Sequence, residues 1–140
     1  TLWGGVCSED GSLGVMVEEG HRHLQEFLLD RRSAGFLLVL VSKNEEADVR
    51  AVFAQHPGMV LKWEHFVATQ VNWRPKSTNL RSLAAELNLG LDSFIFLDNS
   101  GVECAEVRSN CPEVLAMQLP CLAHSWRISH GTGVRHRLAR

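Results

Sequence analysis

What most limits the folds open to this chain is a pair of short, nearly unbroken apolar runs, residues 36–41 and 93–97, each ended by small polar residues. A strand with one wet face alternates in polarity, so runs apolar on both sides belong inside a parallel sheet covered by helices on both faces. The neighbouring segments supply those helices. Leu24, Phe27 and Leu28 recur at helical spacing within residues 18–34, with charges between them and Gly35 where a helix C-terminus favours glycine. Asn44 stands as the cap of a second helix, Glu45 and Glu46 suit its positive end, Val49, Val52 and Phe53 form its inner face, and Pro57-Gly58 stops it. Residues 66–71 read as a further strand. After Pro75, the residues Leu80, Leu83, Ala84 and Leu87 repeat at helical intervals up to Gly90. A short helix follows Ser100 and ends near Cys111-Pro112, and residues 114–119 make a last strand.

This alternation predicts one α/β domain over residues 1–119, a parallel sheet with helices on both faces. Residues 120–140 differ: Arg127, Arg135, Arg137 and Arg140 accompany His124, His130 and His136 without any Asp or Glu, which reads as a frayed basic tail. A phosphate-binding or nucleic-acid arm is the functional rival for that segment. The whole chain of 140 residues is 45% hydrophobic with a net charge of -2, enough apolar material for a core and no support for a general affinity for nucleic acid or anionic membrane. No apolar run nears the ~20 residues that span a bilayer, and no signal peptide opens the chain, so a cytoplasmic location is the expectation. Cys7, Cys104, Cys111 and Cys121 show no CxxC spacing and are expected to be reduced thiols rather than zinc ligands or a disulfide framework.

Ligands of open parallel sheets gather beyond the carboxyl ends of the strands. Three positions qualify: Ser42, Lys76, and Asp98 with Asn99. Singly, each has a structural explanation, Ser42 and Asn44 as caps, Lys76 as a solvated first-turn residue, Asp98-Asn99-Ser100-Gly101 as a turn and cap. Jointly they make a constellation in which a hydroxyl and an ammonium hold phosphate oxygens while a carboxylate and an amide oxygen hold magnesium. Lys76 adds a hint, because a cation in the first turn faces the positive end of the helix dipole unless an anion lies nearby.

Five words carry a resemblance: Thr1-Leu2-Trp3-Gly4-Gly5, Leu24-Gln25-Glu26-Phe27-Leu28, the run from Val41-Ser42-Lys43-Asn44 to Val49, Val71-Asn72-Trp73-Arg74-Pro75-Lys76-Ser77, and Phe96-Leu97-Asp98-Asn99. In this order they resemble the haloacid dehalogenase (HAD) superfamily of phosphoryl-transfer enzymes, with its Rossmann-like fold, and within it the FkbH-like group of polyketide-type assembly lines. The resemblance implies that Ser42 bonds the transferred phosphoryl group, that Lys76 neutralises phosphate and nucleophile, and that Asp98 ligates Mg2+, with Asn44 beside the substrate. Asn99 stands where the group usually has a second acid, which implies weaker metal binding.

The family's nucleophile and general acid are the two aspartates of a D-x-D-x-T motif, of which Thr1 matches the final threonine. Both aspartates and the first, central strand of the fold would precede residue 1, so the chain as given is expected to lack its nucleophile. It is also expected to fold poorly, since a central strand buries several side chains at roughly 1.5–3 kcal/mol each. FkbH-like proteins take a small phosphorylated three-carbon acid, remove phosphate and pass a glyceryl unit to an acyl carrier protein, and Cys7 is the candidate thiol, or else a small packed residue. Alternatives are a generic magnesium-dependent HAD phosphatase and a degenerate carrier-protein docking domain. A receiver-type module fits less well, because its acids precede the lysine, and an N-terminal nucleophile hydrolase requires stacked antiparallel sheets. His21, His23, His56 and His65 read as surface residues, and Trp3, Trp63 and Trp73 as packing under loops or the lining of a substrate mouth.

Overall fold

Val39 and Val41 pack toward one side of the first strand while Leu38 and Leu40 pack toward the other, so the apolar run at its centre serves two cores. A computed structural model of the chain describes residues 1–4 and 10–120. Strand β1 (Leu38–Ser42) lies parallel to β2 (Phe66–Val71), and β3 (Ile95–Asp98) lies parallel to β4 (Leu115–Gln118). Helices α1 (Glu19–Ser33) and α2 (Glu46–Gln55) contribute to one core around Val49, Val52, Phe53 and Leu61. Helices α3 (Lys76–Leu87) and α4 (Gly101–Asn110) contribute to the other, around Leu80, Leu83, Phe96, Cys104 and Val107. This is the expected layering. Among the described residues no helix is long and apolar enough to cross a membrane.

The boundaries of β2 and the inner face of α2 agree with the sequence reading, whereas four local expectations are corrected. Phe36 and Leu37 are exposed and β1 begins at Leu38, so the apolar run overstates the strand. Asn44 does not cap α2; its amide donates to Ser42 Oγ at 2.8 Å, and Glu45 holds the cap position without a side-chain bond to the helix N-terminus. Asn88, not Gly90, ends α3 in the left-handed conformation at φ 53°, which Asn tolerates because its short side chain can bond locally. The fourth concerns α1.

Phe27 points outward beneath Arg31, and the buried residues of α1 are His21 and Gln25. Gln25 can be buried because its polar atoms are used: Nε2 donates to Leu2 O at 2.9 Å, and Oε1 accepts from the backbone N–H groups of Val60 and Leu61. It thereby ties the first residues of the chain and the loop after α2 to α1. His21, expected at the surface, is buried with Nδ1 accepting from Glu18 N–H at 3.1 Å. Gly35 behaves as expected, taking φ +102° just after α1, a conformation open to glycine. Cys104 and Cys111 are free and buried. Trp3 and Trp63 meet Phe53 edge-on at 5.7 and 5.8 Å and belong to the core, unlike Trp73.

The sheet is two parallel pairs rather than one ladder: among the described residues, β1 pairs with β2 and β3 with β4. A cavity of about 360 Å³ lies between the pairs, lined by residues 37–42 of the β1 side, 95–98 of the β3 side, and Thr1, Leu2 and Trp3. That is where the resemblance places a central strand.

Candidate active site

The two strand pairs each end in a polar residue whose backbone is fixed by one more parallel hydrogen bond. Asn72 N–H donates to Ser42 O at 3.0 Å, and Leu119 N–H donates to Asp98 O at 2.7 Å. Ser42 and Asp98 therefore stand rigidly at the carboxyl ends of β1 and β3, where such sheets hold ligands. The loop after β2 is braced by Asn72, which exchanges hydrogen bonds with Asn79 and accepts from Arg74 N–H. It delivers Lys76 at the start of α3.

Lys76 Nζ donates to Asp98 Oδ2 at 2.5 Å, and the pair is nearly enclosed, with side-chain exposures of 13% and 7%. Asp98 Oδ1 accepts from Ser100 N–H at 3.0 Å. Burial pushes the Asp98 carboxyl up, but the hydrogen bonds from Lys76 and Ser100 and the lysine's charge outweigh it and hold the group below the usual carboxylate range. Asp98 is thus a carboxylate at neutral pH. Thr1 Oγ1 donates to Asn99 Oδ1 and accepts from Asn99 N–H, both at 3.3 Å, which seats the first residue against this turn. Asn44 Nδ2 donates to Ser42 Oγ, leaving the serine O–H as a donor.

Thr1, Ser42, Asn44, Lys76, Asp98 and Asn99 all line the one cavity, so the structure gathers every sequence-selected site residue that it describes. Cys7 lies outside the described residues. Two residues that the sequence reading passed over also line the cavity: Lys43 and Glu103. Lys43 Nζ donates to Glu103 Oε1 at 2.9 Å, while Glu103 Oε2 is buried without a hydrogen-bond partner. The only sequence signal for them was position, Lys43 between Ser42 and Asn44, and Glu103 in the first turn of the helix after Asp98.

The dipole hint at Lys76 needs no external anion. Glu106 of α4 accepts from Ser77 N–H at 3.2 Å and from Ser77 Oγ, placing a carboxylate at the N-terminus of α3 beside the Lys76–Asp98 pair. Trp73 is 61% exposed, and its indole N–H donates to Glu45 Oε1 at 2.9 Å, bridging the loops that carry Ser42 and Lys76.

These features define an α/β domain with a Rossmann-like parallel architecture, its polar residues gathered at the carboxyl ends of the strands. No family model and no curated protein matches the chain. Solved structures do. It matches the N-terminal part of the protein BF1531 from Bacteroides fragilis, containing a phosphatase domain complexed with Mg, at a TM-score of 0.82 and 32% identity, over 86% of this chain and 34% of that one. The chain thus spans about a third of that structure's length. It also matches the HAD family enzyme BT-2542 from Bacteroides thetaiotaomicron, as a magnesium complex and as an aspartate-to-alanine mutant with magnesium and inorganic phosphate. Both reach a TM-score of 0.62 at 13% identity over 86% of this chain, covering 61% and 62% of the neighbour. At that identity the likeness concerns the fold.

Proposed function

We propose that this chain forms the phosphate- and magnesium-binding part of a HAD-type phosphoryl-transfer site, of the FkbH-like kind. The observation that carries the reading is the enclosed Lys76–Asp98 pair, set with the Ser42 hydroxyl in one cavity at the strand ends. Lys76 would hold a phosphoryl oxygen and Ser42 would donate to another, while Asp98 would take the metal. The likeness to a phosphatase domain complexed with Mg at 32% identity supports both ligands.

The donors suit magnesium. Asp98 and Glu103, both in the cavity lining, offer hard carboxylate oxygens, and Oε2 of Glu103 is buried without a hydrogen-bond partner. Among the described residues no group of three or more His, Cys, Asp and Glu side chains gathers to make a full cage. Magnesium is commonly held by one or two carboxylates with waters and phosphate oxygens completing its shell. When bound, it would neutralise charge on the transferring phosphoryl oxygens. Glu103 then supplies the second acid whose absence at Asn99 suggested a weak site.

Transfer also requires a nucleophile. Asp98 and Glu103, the carboxylates lining the cavity, are each bonded to a lysine, and the resemblance assigns attack to the aspartates of the motif that Thr1 ends. The proposed substrate is a small phosphorylated three-carbon acid, with the glyceryl unit passed to an acyl carrier protein. A generic magnesium-dependent phosphatase is the second reading, favoured by the phosphatase domain of the 32%-identical neighbour. Calorimetry of the chain with inorganic phosphate and MgCl2 tests the binding half: Mg2+-dependent phosphate binding, lost in Lys76→Met and Asp98→Asn, is expected. Undiminished binding in both variants would refute it. Joining a D-x-D-x strand ahead of Thr1 and comparing phosphoglycerate with sugar phosphates, with and without a carrier protein, separates the two substrate readings.

A further inference from the structure

The site contains two lysine ammonium groups, and each rests on a different carboxylate: Lys76 on Asp98 and Lys43 on Glu103. The two pairs are not equivalent. Lys76 is enclosed and lies 5.7 Å from the centre of the Phe96 ring, whereas the Lys43 side chain is 36% exposed on a flexible stem. Glu103 uses only Oε1 for Lys43, and leaves Oε2 buried and unpaired. A purely structural pair would be expected to satisfy that oxygen. Together the four groups carry no net charge. A divalent cation shared by the two carboxylates would bring the cluster to a charge of two, matching a phosphate dianion.

We propose that Lys43 is an exchangeable cation that couples the two ligands: it neutralises Glu103 until that carboxylate turns to a divalent cation, and is then free to contact the bound anion. The identity of the ligands rests on the phosphoryl-transfer reading; the role of Lys43 and the coupling are additional to it. Because binding free energies are linked, each ligand must then strengthen the other by the same factor.

Isothermal titration calorimetry of the full chain with MgCl2, inorganic phosphate, and each in the presence of the other measures this directly. The wild type is expected to bind phosphate about tenfold more tightly with Mg2+, and Mg2+ more tightly with phosphate by the same factor. In Lys43→Met, Mg2+ alone binds several-fold more tightly because its competitor is gone, phosphate with Mg2+ binds more weakly, and the coupling factor falls more than twofold, to what direct contact between cation and phosphate supplies. Glu103→Gln releases Lys43 without removing it, so phosphate without Mg2+ binds more tightly than in the wild type. If Lys43 merely tied α4 to the loop after β1, Lys43→Met would lower the melting temperature and leave the coupling intact. Coupling in Lys43→Met within twofold of wild type, or unchanged phosphate affinity in Glu103→Gln, overturns the proposal alone. A wild type that binds neither ligand overturns the phosphoryl-transfer reading as well.

Discussion

The β1–β2 half and the β3–β4 half of the molecule are built alike and charged differently. Each is a parallel pair whose first strand ends in a polar residue fixed by one extra backbone bond. The first half, with the loops that follow its strands, brings Ser42, Lys43, Asn44 and Lys76; the second brings Asp98, Asn99 and Glu103. The proposed anion-binding groups thus come from one side and the proposed cation-binding groups from the other. The halves differ in cover too, since α1 and α2 pack beside β1 and β2, whereas Ile95, Leu115 and Met117 of β3 and β4 are exposed. No ladder joins the pairs among the described residues; the Lys76–Asp98 and Lys43–Glu103 bridges, the Thr1–Asn99 contact and the packing of α3 cross the seam. The place where the molecule is weakest is therefore the place where its ligands would meet.

Filling the seam should have the largest effect. An extended apolar segment joined ahead of Thr1 would enter the cavity between β1 and β3, pair with both edges, and bury two or three side chains at roughly 1.5–3 kcal/mol each. At about 4 °C per kcal/mol for a domain of this size, the melting temperature should rise by roughly 12–36 °C. An unchanged thermal melt, followed by circular dichroism, would show that the two halves need no strand between them.

Breaking the enclosed bridge comes next. Lys76→Met leaves Asp98 buried without its partner, and removing one member of such a pair costs about 3–5 kcal/mol. The Lys76→Met/Asp98→Asn double variant should recover most of that loss. By urea denaturation of all these variants, the more exposed Lys43–Glu103 bridge should be worth at most about 1 kcal/mol. Equal losses for Lys43→Met and Lys76→Met would erase the distinction between a fixed and an exchangeable lysine.

Gln25→Leu probes the first half by itself. It abolishes the bonds to Leu2 O, Val60 N–H and Leu61 N–H, of which only the last is fully buried, and orphaning that one N–H costs about 1–3 kcal/mol. The loss should be the same with and without Mg2+, because Gln25 does not line the cavity. A Mg2+-dependent loss would mean that the halves communicate through the first residues of the chain.

How far each half could be read from sequence follows from what its residues bond to. Val49, Val52 and Phe53 of α2 and the limits of β2 were legible because apolar periodicity decides them locally. The buried face of α1 was not, because His21 and Gln25 are polar and their burial depends on partners that periodicity cannot see, one of them 36 residues away. The convergence of Ser42, Lys76, Asp98 and Asn99 on one cavity was legible from the rule that ligands gather at strand ends. Lys43 and Glu103 were missed because they meet across 60 residues of sequence, and a lysine after a serine carries no sign of its destination. The division into two pairs was visible only through the resemblance.

Acid should separate the halves by pH window, the smallest of these effects. In the first half, burial lowers the His21 pKa, so the folded protein keeps that ring neutral while the unfolded chain takes up a proton. Stability therefore begins to fall as pH drops through the unfolded value of about 6.5, and continues falling until the folded value is reached. In the second half, Asp98 is held below its usual range, so its contribution is complete above about pH 3.9 and is lost as pH falls through the folded value. In both cases the unfolded state binds more protons than the folded one, and both slopes have the same sign. Urea denaturation from pH 7.5 to 3 should show two separate declines. His21→Gln should flatten the upper decline and Asp98→Asn the lower, each leaving the other in place; a single decline abolished by either substitution would mean that the two halves titrate as one unit.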